Sequence, residues 1–198
     1  MHGLVNQAIE RFVRETYGEE IWNDVSRRAG LTNPVFEAML SYDTALTEAI
    51  VAGLARTLGK SREEVLEDIG TFLVSSRASG APRRLLRFGG TDFVDFLYSL
   101  DDLPSRVRLA VPDLQLPQLQ LREHATRRYS LVVRAPGGPR NSYGHVMIGL
   151  LRAMADDYGA LVVLEHRGAR EDEEIIGITL LEPAFAAGRA FDLGAGVP

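Results

Sequence analysis

The sequence contains no cysteine among its 198 residues. This absence excludes disulfide bonds, thiolate nucleophiles and metals held by thiolates, and it is compatible with a reducing compartment. A broad positive field is also missing, because 22 Lys and Arg residues stand against 27 Asp and Glu residues, a net charge of −5. We therefore expect no nucleic-acid partner.

Long apolar runs are absent too. No stretch approaches the roughly 18 consecutive apolar residues that a membrane helix needs, and residues 1–7 lack a basic region followed by an apolar run. We therefore expect a cytoplasmic protein without a membrane span. A hydrophobic content of 45% is nevertheless enough to form the core of one domain.

Groups suited to catalysis or metal binding are few. The only imidazoles are those of His2, His124, His145 and His166. No two of them have the spacing of a helical metal site. Asp101 and Asp102 are adjacent in sequence and point to different faces of a helix, which argues against an acid–base pair. The residues alone therefore predict neither a metal site nor a catalytic centre.

Apolar residues recur at helical spacing through the first half of the chain. The pattern predicts helices that end at Gly18 and Gly59, and Ser61 with Glu64 has the spacing of a capping box at the start of the next helix. A later stripe predicts a helix over 93–103. Pro104 lacks an N–H group and disfavours helical geometry at the residue before it, so we expect this helix to end or kink there.

The spacing changes beyond Pro112. Residues 114–121 and 129–133 are typical of strands, 143–158 of a helix, and 161–164 with 175–181 of an antiparallel hairpin. We expect the acidic run 171–174 to be a solvated hairpin tip. The predicted fold class is therefore α+β: an N-terminal helical half followed by an antiparallel sheet with one intervening helix.

Several short segments resemble, in the same order, those of the heme nitric-oxide/oxygen-binding (H-NOX) family. The resemblance covers residues 1–183, and we expect 184–198 to be a C-terminal tail. The matching segments are Met1-His2-Gly3, Gly70-Thr71-Phe72-Leu73, Leu85-Leu86-Arg87 with Gly89, Asp95-Phe96-Leu97, Leu100-Asp101-Asp102-Leu103, Pro112 with Pro117, and 146–151.

The resemblance fails where the family holds its cofactor. Pro104 stands at the position of the heme-ligating histidine, and Val133, Ala135 and Gly137 stand at the positions of the Tyr-x-Ser-x-Arg clamp for the heme propionates. Removing the iron–imidazole bond and the charge-assisted hydrogen bonds leaves a heme held by apolar burial alone. The resemblance also implies a set of pocket-lining residues, which a collapsed core would equally contain: Leu4, Val5, Ile9, Phe72, Leu73, Leu97, Leu100, Pro117, Val146 and Leu150.

The resemblance implies a non-catalytic sensory or regulatory domain. Because the heme ligands of the family are missing, we expect the domain either to bind another apolar ligand or to signal by protein contacts. The implied partner is a signalling protein such as a histidine kinase or a cyclic-dinucleotide enzyme. Two alternatives stay open: an atypical NO/O2 sensor that holds heme through His145 or burial alone, and a small-molecule enzyme that uses the emptied pocket.

Overall fold

The computed structural model describes residues 1–31, 34–76, 80–135 and 143–188, and the side chains of residues 80 and 81 are not described. These parts of the chain form eight helices and four strands in an α+β arrangement. The elements are α1 (Gly3–Tyr17), α2 (Glu19–Arg28), α3 (Thr44–Leu58), α4 (Arg62–Ser75), α5 (Gly80–Arg87), α6 (Phe93–Tyr98), α7 (Leu103–Ala110), β1 (Gln118–Ala125), β2 (Arg128–Arg134), α8 (Tyr143–Tyr158), β3 (Leu161–Arg170) and β4 (Glu173–Glu182).

The first four helices surround one hydrophobic core. Its members come from the apolar stripes of α1 to α4 and from Phe36 in the α2–α3 connection. Local signals set the helix ends as predicted: Gly59 caps α3 in the left-handed conformation at φ 64°, and both hydrogen bonds of the Ser61–Glu64 capping box are present at the start of α4.

A second core lies between α6, α8 and the sheet. The strand order is β1-β2-β4-β3, with all neighbours antiparallel. Leu131, Ile176 and Ile178 on the inner sheet face pack with Leu97 and Leu151 from the helices. Helix α8 contributes to both cores, because Val146 packs against the first core while Met147 and Leu151 belong to the second.

Pro104 begins a helix instead of ending one. Helix α6 already ends at Tyr98, and α7 starts at Leu103 with the proline in its first turn. The expectation of a helix reaching Leu103 is therefore wrong. The physical reason is that first-turn N–H groups have no intrahelical acceptor, so a proline costs nothing there and its fixed φ favours the helix start.

The hairpin at the end of the domain is longer than predicted. Strand β3 continues to Arg170 and β4 begins at Glu173, so that residues 171 and 172 form the turn. Glu174, expected in solvent, is 3% exposed. The prediction of a solvated Glu174 is wrong because Glu174 belongs to the paired part of β4. Its carboxylate there has specific hydrogen-bond partners.

Candidate functional site

The buried Pro104 lines an open cleft of about 410 Å³ between α7 and the first two strands. Its ring nitrogen is part of a tertiary amide and has no free lone pair for a metal. The cleft is mainly polar and contains no imidazole. Its lining residues are Asp101, Pro104, Ser105, Arg108, Gln118, Leu119, Gln120 and Arg134.

Two charged groups of this cleft are already engaged by neighbouring protein atoms. The Nε atom of Arg134 donates to Oε1 of Glu173 at 2.6 Å. Oδ1 of Asp101 accepts a hydrogen bond from the backbone N–H of Leu121 at 2.7 Å, which ties the α6–α7 turn to β1. The cleft wall is therefore held by specific side-chain bonds.

Of the three positions at which the resemblance implies the propionate clamp, the two described ones lie on the inner side of the sheet and at its end. Val133 is 1% exposed, faces Leu119 across the β1–β2 ladder, and belongs to the second core. Ala135 directly follows β2 and is also buried. Gly137 lies outside the described residues. Neither Val133 nor Ala135 can donate a hydrogen bond from its side chain to a carboxylate.

The residues that the resemblance implied as pocket lining divide between the two cores. Ile9, Val5, Phe72 and Val146 pack in the first core, whereas Leu97, Leu100 and Leu150 belong to the second. Pro117 is buried just before β1, and Leu4 and Leu73 are half-buried. Leu97 and Leu100 are fully buried among protein side chains.

These residues do not fit a heme held in the family's way. The position at which the resemblance implies the axial histidine carries a proline, and the two described positions at which it implies the clamp carry an apolar side chain and a methyl group. A heme here would have neither an iron ligand from α7 nor a side-chain donor from those positions for its propionates.

Each of the four imidazoles contacts another protein group, and that of His166 is Glu174 at 3.0 Å. His2 Nδ1 accepts the N–H of Leu4 at the start of α1, and His124 contacts Ser130 at 2.8 Å. His145, the alternative heme ligand, lies 3.2 Å from Glu67 of α4. Within the parts of the chain that the structure describes, no group of three His, Asp or Glu side chains could hold a metal ion.

His145 and His166 form a cluster that sequence reasoning missed. The two rings stack with centroids 4.3 Å apart and an angle of 18° between their planes. Glu67 lies beside the first ring and Glu174 beside the second. These residues come from four separate elements, so no sequence spacing could have indicated the cluster.

A second, smaller cleft of about 220 Å³ separates the N-terminus from α8. Tyr143 forms part of its wall, and burial raises the pKa of this phenol. The other lining residues are Met1, His2, Val5, Ser41, Thr44, Asp113, Leu114 and Gln115. Only Val5 had been expected to line a pocket.

None of the helices in the described ranges has the length and apolar character needed to cross a bilayer.

The chain matches the family model described as "Haem-NO-binding" over residues 2–166. It is 25% identical over 166 residues to soluble guanylate cyclase gcy-31 of Caenorhabditis elegans, covering 83% of this chain and 23% of that protein. It is 23% identical over 163 residues to soluble guanylate cyclase 89Da of Drosophila melanogaster, covering 82% and 24%. The chain thus spans about a quarter of the length of these curated relatives.

Solved structures show the same fold. An H-NOX protein from S. oneidensis in the Fe(II)NO state matches with a TM-score of 0.77 at 19% identity, covering 92% of this chain and 100% of that one. An oxygen-binding H-NOX domain related to soluble guanylate cyclases matches with a TM-score of 0.71 at 17% identity, covering 96% and 100%. The predicted α+β fold of H-NOX type is confirmed.

Proposed function

Because the chain belongs to the heme-NO-binding (H-NOX) family, we propose that it is a non-catalytic regulatory domain that lacks conventional heme ligation and signals through contacts with a partner protein. H-NOX domains are sensor domains of the soluble guanylate cyclase type. The observation that carries the proposal is Pro104, buried at the start of α7, at the position that the resemblance assigns to the family's axial histidine. We place the domain at 1–183 and the tail at 184–198.

A heme in this domain would lack the bonds that hold it in the family. A proline amide nitrogen cannot coordinate iron, and the buried Val133 cannot hydrogen-bond a propionate. Two carboxylates brought near this core without designed donors would be costly to desolvate. Apolar burial would then be the main attraction left for the porphyrin.

Signalling by protein contacts is favoured over an apolar ligand because the core is filled by side chains. Leu97, Leu100 and Leu151 are each fully buried, and they pack with residues from the sheet. A ligand of porphyrin size would have to displace these contacts, and close-packed protein interiors resist such changes.

The family resemblance supports a proposal for the partner. We propose a cytoplasmic signalling partner such as a histidine kinase or a cyclic-dinucleotide enzyme. The matched relatives are named soluble guanylate cyclases, of which this chain covers about a quarter. A guanylate cyclase activity is therefore not assigned to this chain.

The deciding experiment is absorption spectroscopy of the protein purified from heme-replete cells. We expect no stoichiometric Soret band for the wild-type protein, and hemin titration should give no saturable one-to-one binding. The variant Pro104→His tests whether an imidazole at this position restores iron ligation, and Pro104→Ala is its matched control. A stoichiometric Soret band in the wild-type protein would overturn the proposal.

The alternatives are separated by two further measurements. If the wild-type protein did hold heme, an unchanged spectrum in His145→Ala would remove His145 as its ligand. Native mass spectrometry of the purified protein distinguishes the two heme-free versions. No added mass supports signalling by protein contacts, whereas a co-purifying apolar molecule supports a ligand-binding domain.

A further inference from the structure

The stacked imidazoles of His145 and His166 join three parts of the fold. His145 lies in the first turn of α8, and His166 lies in β3 of the terminal hairpin. Their ring centroids are 4.3 Å apart, and the two side chains are 15% and 20% exposed. Glu67 links this pair to α4.

Each ring has its own carboxylate. His166 Nε2 lies 3.0 Å from Oε2 of Glu174, a side chain that is almost fully buried in β4. His145 Nδ1 lies 3.2 Å from Oε1 of Glu67, whose second oxygen accepts from Arg152 at 2.9 Å. Among the described residues, Glu67 and Glu174 are the charged groups in contact with this pair, and Arg152 contacts Glu67.

Glu174 also holds the beginning of α8. Its Oε1 atom accepts the backbone N–H of Gly144 at 3.0 Å. This N–H is in the first helical turn, where the helix itself supplies no acceptor. The glycine is required for this approach, since a Cβ atom there would lie 2.6 Å from Oε2 of Glu174 and 3.0 Å from Nε2 of His166.

We propose that this pair is a proton-responsive latch between α8 and the β3–β4 hairpin. Imidazole is the side chain whose unperturbed pKa places its change of charge between about pH 5 and 8. One proton on the pair is accommodated, because a carboxylate adjoins whichever ring holds it and the other ring is neutral. A second proton places two positive charges face to face, and their repulsion opposes the stacked geometry.

The expected movement is separation of the first turn of α8 from β3. His145 directly follows Gly144, so displacement of its ring loosens the Gly144–Glu174 hydrogen bond. Helix α8 contributes to both hydrophobic cores, so a displacement of its first turn can alter the packing of both. The inference concerns residues outside the Pro104 cleft, so it stands or fails independently of the heme proposal.

Amide exchange at Gly144, measured by NMR and corrected for its intrinsic pH dependence, tests the latch. In the wild-type protein we expect Gly144 to lose protection on acidification through the imidazole range, while the Gly53 amide in α3 keeps its protection. His166→Gln and His145→Gln each leave one titrating ring and retain a donor for the carboxylate. In both variants the acid-induced loss of amide protection at Gly144 should disappear.

His124→Gln is the matched control, because His124 is an exposed imidazole on β1 that contacts Ser130. In this variant the Gly144 amide should lose protection on acidification as it does in the wild-type protein. The latch is refuted if Gly144 protection does not change with pH in the wild-type protein. It is equally refuted if the loss persists in either single variant, or disappears in His124→Gln.

Discussion

Gly70 of α4 lies directly against the backbone carbonyl oxygen of Val146 in α8, with no room for a methyl group between them. The contact is reciprocal, since a methyl group on Gly149 of α8 would overlap the carbonyl oxygen of Glu67 in α4. Two glycines therefore set the separation of these helices. This close crossing fixes α8 where it can contribute to both cores.

Replacing Gly70 with alanine should destabilise the domain. Overpacking of this kind typically costs about 1–3 kcal/mol, because the neighbouring atoms belong to backbone and cannot rotate away. The free energy of unfolding from urea denaturation measures the effect. Gly53→Ala is the control, since a Cβ there would meet only Val25 at 3.4 Å and the side chain of Arg56 at 4.0 Å.

The Gly53 variant should be neutral or gain up to about 1 kcal/mol from the better helix propensity of alanine. Equal stability of the Gly70→Ala and wild-type proteins would show that there is room for a methyl group between Gly70 and the carbonyl oxygen of Val146.

Loss of the capping box should weaken α4. Ser61 Oγ accepts the N–H of Glu64, and the carboxylate of Glu64 accepts the N–H of Ser61 in return. Ser61→Ala should cost about 1 kcal/mol in the free energy of unfolding. Ser75→Ala at the other end of α4, where the hydroxyl donates to Thr71 O of its own helix, should cost clearly less. Comparable losses in the two variants would contradict a specific capping role.

The helical half was predictable because its signals are local. Gly59, Ser61 and Glu64 act within one or two turns of their own position, and apolar periodicity identifies the buried face of each helix. The start of α8 at Tyr143 and its end at Tyr158 were also predicted. Segments of this kind require no knowledge of tertiary neighbours.

The errors occur where tertiary contacts override local patterns. The acidic run 171–174 has the composition of a solvated turn, yet Glu174 is buried because Gly144 and His166 supply partners from 30 and 8 residues away. Pro104 was correctly identified as incompatible with a helix interior, but the local pattern did not indicate that a new helix would start there. The His145–His166 stack has no sequence signal at all.

Glu173 and Glu174 should differ sharply in their contribution to stability. Glu174→Ala leaves the N–H of Gly144 and the ring of His166 without their buried acceptor, which should cost about 1–3 kcal/mol. Glu173→Ala removes a partly exposed ion pair with Arg134 and should cost less than about 1 kcal/mol. Urea denaturation of the two variants at neutral pH measures the difference. Similar costs would contradict the burial of Glu174.

Alkaline titration should detect the contact between Tyr98 and Glu123. The Tyr98 hydroxyl donates to Oε2 of Glu123 at 2.5 Å, and this hydrogen bond, with smaller effects of desolvation and of the carboxylate charge, raises the pKa of Tyr98 from 10.0 to about 12. Ultraviolet absorbance of the phenolate should therefore show one tyrosine that ionises at about pH 12. That signal should be missing in Tyr98→Phe and move towards pH 10 in Glu123→Gln.

The sign of the stability effect follows from the same pKa. Because the folded-state pKa of Tyr98 lies above the unfolded value of 10.0, the contact stabilises the fold fully below pH 10 and loses this contribution as the pH rises towards 12. The unfolding free energy of the wild-type protein should thus fall over this interval more than that of Tyr98→Phe. Parallel declines in the two proteins, or an unchanged phenolate titration in Glu123→Gln, would show that the hydrogen bond between α6 and β1 does not persist in solution.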